Sequence, residues 1–355
     1  APGNLEVPVS LGAFSRNFGP QGTDFGYFGG GTPGPVSIVD RIDYSNDTAT
    51  AVAKGPLSVA RDALAATGNS SFGYFAGGPG PKSTVDRIDY SNDSADAIVK
   101  GPLSQSKTNL AATGNSSFGY FGGGELTAVS TVDRVHYSND TATAVAKGPL
   151  SVARYGLAAT GNQDFGYFGG GHPGSKSTVD RIDYSNDTAT AVAKGPLSSA
   201  KYLMGATGNS SFGYFGGGYP GPASTVDRID YSNDTATASP KGPLSVARHG
   251  SAATGNTSFG YFGGGYTSSN VSTVDRVDYS NDTAAAATKG PLSVARRTLG
   301  ATSSRANAIP LENIVNYAAG TLATPNTGYF GGGNLSTIDR IDYSSDTGTT
   351  PTKGP

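Results

Sequence analysis

The chain has 355 residues, a formal net charge of −2, 15% charged residues, and neither Cys nor Trp. Without Cys there are no disulfides, thiolate metal sites or thiol nucleophiles, and the balanced charge gives no bulk electrostatic case for nucleic acid or an anionic membrane surface. The 53 Gly and 21 Pro beside 19 Tyr and 15 Phe point to turn-rich β structure, and no apolar stretch approaches the ~20 residues of a membrane span.

In chain order, the sequence opens Ala1-Pro2-Gly3 with neither Met nor a signal sequence, which points to a processed or trimmed start. Residues 1–8 read as a lead-in. The tripeptide Gly-Tyr-Phe then begins at Gly26, Gly73, Gly119, Gly166, Gly213, Gly260 and Gly328, with spacings of 47, 46, 47, 47, 47 and 68. The corresponding units cover about 9–55, 56–101, 102–148, 149–195, 196–242, 243–290 and 291–355. Unit 149–195 is representative. A small-residue strand a over Tyr155–Thr160 is followed by a turn at Gly161-Asn162-Gln163-Asp164 and a strand b over Phe165–Gly171. A loop over His172–Lys176, an alternating strand c over Ser177–Tyr184, the turn Ser185-Asn186-Asp187 and a strand d over Thr188–Ala193 complete it.

No window has a helical apolar period. Four antiparallel strands in about 47 residues cannot bury their faces alone and read as a propeller blade. Seven copies predict an all-β, seven-bladed β-propeller filling residues 1–355 as one domain. The last interval carries about 21 extra residues near 303–326. There Leu299–Thr302 and Tyr317–Thr321 each qualify as strand a of the last blade. Ile309–Val315 reads either as a docking element or as the remnant of a further repeat. The chain reads as beginning on strand a and ending on strand d, so the ring is expected to close without a shared blade.

Four parts of each unit resemble kelch repeats: Tyr167-Phe168-Gly169-Gly170, Val179-Asp180-Arg181-Ile182-Asp183, Asp187-Thr188 and the segment Pro149 to Arg154. The resemblance implies the propeller fold. The kelch Trp is missing throughout, with Ala in its place, and Ile or Val replaces the kelch Tyr, so no kelch partner is carried over. The wording Gly-Tyr-Phe-Gly-Gly-Gly and Ser-Thr-Val-Asp-Arg-Ile-Asp-Tyr-Ser-Asn-Asp-Thr is also similar to repeat proteins of marine cyanophages. That resemblance implies a virion or extracellular setting.

The units are near copies; Ser45 to Arg61 is identical to Ser138 to Arg154. They differ in the loop after the glycines (b–c) and in the segment after Pro-Leu (d–a). In an antiparallel blade these two loops share one face, while the nearly constant a–b and c–d turns share the other. Binding is usually placed on loops carried by a rigid scaffold, so the variable face is the candidate site. Each d–a segment brings one cation: Arg61, Lys107, Arg154, Lys201, Arg248 and Arg296, with Phe14 or Arg16 in the first unit. One reading is a partial ring of positive charge that gathers anions; the other is pairing with carboxylates such as Asp86 or Asp133. Beside them stand Tyr155, Tyr202 and His249 from the d–a segments and His172, Tyr219 and Tyr266 from the b–c loops. All twelve are candidate ligand-binding residues.

The recurring Asp43-Tyr44-Ser45-Asn46-Asp47-Thr48 spaces oxygens as a calcium site would, but the Gly and terminal Glu of an EF-hand are absent, and an Asx turn uses the same residues. With only three His, in unrelated positions, and paired carboxylates in every unit, no catalytic constellation is singled out. The expectation is a non-enzymatic virion appendage or structural module without cofactor, metal, nucleic-acid partner or membrane insertion. Its partner would be a host cell-surface polysaccharide or another virion protein, and homo-oligomers fit too. The alternatives are a secreted bacterial adhesin or matrix-binding propeller, and a polysaccharide-active enzyme.

Overall fold

The computed structural model describes residues 25–80, 82–124 and 127–304, and three later strands over 327–331, 338–342 and 352–353. It divides into two compact units, Ala1–Leu311 and Glu312–Pro355.

The first unit is a β-propeller of four-stranded antiparallel blades, an arrangement consistent with kelch-like repeats. Blade 1 has the strand order Gly300–Ser303, Phe25–Gly29, Val39–Asp43, Val52–Lys54. Blades 2 to 6 run in simple chain order from inner strands Ala65–Gly68, Ala111–Gly114, Ala158–Gly161, Gly205–Gly208 and Ala252–Gly255. Each inner strand neighbours the next, and Gly300–Ser303 neighbours both Ala252–Gly255 and Ala65–Gly68, so the circle closes at six.

This corrects two expectations. The ring has six blades, not seven, and it closes through a shared blade. The stretch Leu299–Thr302 does supply an inner strand, but it pairs with the first copy of strand b, not the last. Tyr27 faces Thr302 and Phe28 faces Ala301, the register that Tyr167 and Phe168 keep with Thr160 and Ala159. Counting Gly-Tyr-Phe copies counts strand b, whereas a ring is counted by its inner strands.

The seventh copy contributes Thr327–Gly331, Ile338–Asp342 and Thr352–Lys353, a three-stranded sheet in the second unit. Tyr317–Thr321 and Ile309–Val315 lie outside the described residues, as do Phe14, Arg16 and residues 1–8.

Alternation along strand b explains why the core lies between blades. Successive side chains point to opposite faces of a sheet. Tyr27 therefore packs with Phe75, Ile88 and Tyr90 of blade 2, while Phe28 packs with Tyr261 and Val274 of blade 6. Both faces are covered, so the strand reads as an uninterrupted aromatic pair. Glycine beside the pair admits the neighbour: a Cβ at Gly29 would lie 2.5 Å from the Phe75 ring. The inner strands crowd the axis and carry Ala, Gly and Thr. Their channel has a cavity volume of ≈ 90 Å³, room for a few waters and far below the roughly 300 Å³ of a small-molecule site.

Closure at blade 1 has a direct test. Thr32 and Arg297 exchange backbone hydrogen bonds, 3.0 and 3.1 Å, and residues paired this way have Cα atoms about 5.5 Å apart, within disulfide range. In this cysteine-free chain, Thr32→Cys with Arg297→Cys is expected to form an intramolecular disulfide, seen as a mobility shift on non-reducing electrophoresis. A ring closed by the last repeat would keep the two thiols apart and free.

Candidate functional site

The charged residues of the repeat are mostly committed to holding the ring. The second Asp of each Asn-Asp turn lies against the preceding blade and receives three of its donors. Asp140 accepts from Tyr74 Oη at 2.9 Å and Arg87 at 2.8 Å, and pairs with Lys100 at 3.2 Å. At the closure, Asp47 does the same with Tyr261, Arg276 and Lys289 of blade 6. Burial alone would raise the Asp140 carboxyl, but donation from Tyr74, Lys100 and Arg87 outweighs it and holds it below the ordinary carboxylate range. Asp47, Asp187 and Asp234 shift in the same direction, by the same balance of burial against donors. The first Asp of the motif caps the turn: Ser45 N–H donates to Asp43 at 2.9 Å. Among the described residues no cluster of His, Cys, Asp or Glu is arranged to hold a metal ion.

Of the two readings of the d–a cations, the structure supports pairing. The ion pairs are Arg61–Asp86 at 2.8 Å, Lys107–Asp133 at 3.2 Å, Arg154–Asp180 at 2.9 Å, Lys201–Asp227 at 3.4 Å, Arg248–Asp275 at 2.9 Å and Arg296–Asp40 at 3.0 Å. The most exposed of these cations, Lys201, has 4% of its surface accessible. Arg154 also donates to the carbonyls of Thr178 and Phe168, and Ser151 Oγ donates to Asp180. Each cation therefore lashes the linker to the blade it enters. As placed, these six are enclosed and paired, with no free charge for a ligand; the sequence shows their sign but not their burial.

Just after the cation, each linker passes through one residue of left-handed backbone: Ala63, Asn109, Gly156, Leu203, Gly250 and Thr298, with φ of 50° to 66°. Each donates its N–H to the carbonyl of the equivalent residue one blade back, at 2.6 to 2.8 Å, and Ala63 closes the circle onto Thr298. Six identical bonds ring the channel mouth, a closed chain in which each bond polarises the next. Below it, Leu64, Leu110, Leu157, Met204, Ser251 and Leu299 form a collar.

The other six candidates are brought together. Backbone bridges join Tyr155 to His172, Tyr202 to Tyr219 and His249 to Tyr266, placing the b–c loops against the d–a segments. The side chains interleave into one arc over blades 4, 5 and 6: Tyr155, His172, Tyr202, Tyr219, His249, Tyr266. Successive ring centroids are 5.1, 5.0, 5.2, 5.4 and 5.4 Å apart, with interplanar angles of 49° to 72°. Five of the rings are half-buried and Tyr219 is 39% exposed. The arc borders the hydrogen-bonded ring, since a Cβ at Gly156 would touch the Tyr202 ring at 3.4 Å.

Beyond Tyr266 the arc ends on Arg297, whose guanidinium lies 4.4 Å from the Tyr266 ring centroid. Arg297 was not among the candidates. The available signal was positional: it holds the place that Tyr155, Tyr202 and His249 hold in the preceding linkers. Burial, and then Arg297, push the pKa of His249 below its ordinary value, which favours the uncharged imidazole.

No protein-family model matches the chain, and no curated protein matches it.

Two outcomes follow from the charge networks. Arg154→Met leaves Asp180 buried and uncompensated, so a stability loss of about 3–5 kcal/mol is expected in urea unfolding, with Asp180→Leu restoring most of it; a loss within experimental error would contradict the strut. The depressed carboxyls stabilise the fold fully above the ordinary value of about 4, and that contribution is lost as pH falls through their lower folded values. The thermal midpoint should stay level from pH 7 to 5 and fall below about pH 4. Asp140→Asn should start lower and fall less steeply.

Proposed function

We propose that this chain is a non-enzymatic recognition module, a virion appendage or comparable extracellular part, that holds a host-surface glycan on the aromatic arc. The observation that carries this reading is the arc itself. On a scaffold of near-identical blades, residues that differ meet on one face of blades 4 to 6 as a continuous run of Tyr and His rings. Such rings offer flat apolar faces with a polar edge, which suits the alternating C–H and hydroxyl surfaces of a sugar. The non-enzymatic part is supported by the commitment of the Asp140-type and Asp180-type carboxylates to cations, tyrosines and serines. A virion setting rests on the likeness of the repeat wording to cyanophage repeat proteins.

A second reading, docking onto another structural protein, is favoured by the outer rim. Val52, Ile98, Val145 and Val192 are 54–56% exposed on the edge strands of blades 1 to 4. Exposed apolar edge strands are natural pairing surfaces.

Binding of the purified chain to host-surface polysaccharide separates the two. Tyr202→Ala and Tyr219→Ala are each expected to weaken binding about tenfold without lowering the thermal midpoint by more than a few degrees. Saturable binding unchanged in both variants would move the site off the arc. No polysaccharide binding, with incorporation into a particle intact, would favour the rim reading.

A further inference from the structure

We infer that the arc is built for an acidic polysaccharide, its rings stacking on successive sugars and Arg297 fixing a carboxylate or sulfate at one end. This inference rests on the proposal that the arc holds a glycan, and adds the ligand's charge and direction.

Three observations carry it. The first is the order of groups: six rings in line and then a guanidinium, which gives the platform an apolar run and a single cationic end. The second is the state of that guanidinium. Arg154, Arg248 and Arg296 are enclosed and paired with Asp180, Asp275 and Asp40. Arg297, the very next residue after Arg296, is half-buried and has no carboxylate partner among the described residues. No described carboxylate competes with an incoming group for it, and its planar fork suits bidentate capture of a carboxylate or sulfate.

The third is the surrounding charge. Lys176, in the loop that carries His172, is likewise without a carboxylate partner among the described residues. Of the strand carboxylates of the same blades, Asp180, Asp227 and Asp275 are buried and neutralised by Arg154, Lys201 and Arg248, while Asp183, Asp230 and Asp278 stand at the other end of their strands, capping the Asn-Asp turns. A negative polymer therefore meets rings and the Arg297 guanidinium on this arc, while the carboxylates of Asp180, Asp227 and Asp275 behind it are enclosed.

The test uses the full chain with three soluble polymers: dextran, polygalacturonate and dextran sulfate. Affinities are measured by titration calorimetry at two salt concentrations for wild type, Arg297→Gln, Arg297→Lys and Tyr219→Ala. The expected result is at least tenfold tighter binding of one acidic polymer than of dextran, weakening as salt rises. Arg297→Gln should abolish that preference, about tenfold, and keep residual binding to dextran, while Arg297→Lys restores part of it. Tyr219→Ala should weaken binding to all three. Preference for polygalacturonate identifies a carboxylate ligand, and preference for dextran sulfate a sulfate. Equal affinity for dextran and both acidic polymers, unchanged in Arg297→Gln, overturns the acidic ligand and leaves glycan recognition standing. Absence of binding to all three overturns both.

Discussion

At every junction of the ring one carboxylate ties a blade to the one before it. Asp47 and its counterparts at 93, 140, 187, 234 and 282 accept a phenol and pair with an Arg and a Lys from the preceding blade. The phenol is the same Tyr that fills the core between the blades and stacks on the next Tyr; Tyr74 lies 4.7 Å from Tyr137. Apolar packing and ion pairing are thus set by one side chain. Because the node needs a blade on each side, a row of blades leaves unsatisfied groups at both ends, and only a closed circle satisfies all of them.

Closure also explains the sharp division of labour in the sequence. The turn that carries the node has little freedom to vary. Its first Asp caps a tight turn, the Asp four residues on holds the preceding blade, and a Cβ on that blade's approach would collide with the turn, as one at Gly55 would with the Ala95 carbonyl. Among the described residues the opposite face carries no such node. Its linkers are fixed by buried cations and by the hydrogen-bonded ring at the channel mouth, both of which act through groups behind the surface. The residue between them, at 155, 202, 249 and 297, is left to change. That is where the arc and Arg297 stand.

Much of this was legible in the sequence. The strand pattern of Phe165–Gly169 and Val179–Asp183 was plain from alternation and glycine punctuation, and Tyr155, His172, Tyr202, Tyr219, His249 and Tyr266 could be assigned to one variable face. The blade count was not legible. Gly300–Ser303 fits the strand b of the first repeat and that of the last, which carry the same Gly-Tyr-Phe, and nothing local to the strand chooses between them. For Arg61 and its counterparts the sequence left two readings open, a ring of free charge or pairing with carboxylates such as Asp86 and Asp133. Only the strand register, which turns Asp86 toward Arg61, decides for the pair. Arg297 escaped notice because it follows Arg296 and reads as a second charge in a basic step, whereas the two differ completely in environment.

The central claim is that all six junctions are equivalent, including the one that joins the two ends of the ring. Native-state hydrogen exchange of the full chain tests it most directly. If the ring closes as described, the amides of Tyr27, Phe28, Ala301 and Thr302 exchange only by global unfolding, with the same free energy as those of Tyr167, Phe168, Ala159 and Thr160 in blade 4. Markedly faster exchange at the blade 1 positions, with blade 4 protected, would contradict it and leave the ring open at that junction.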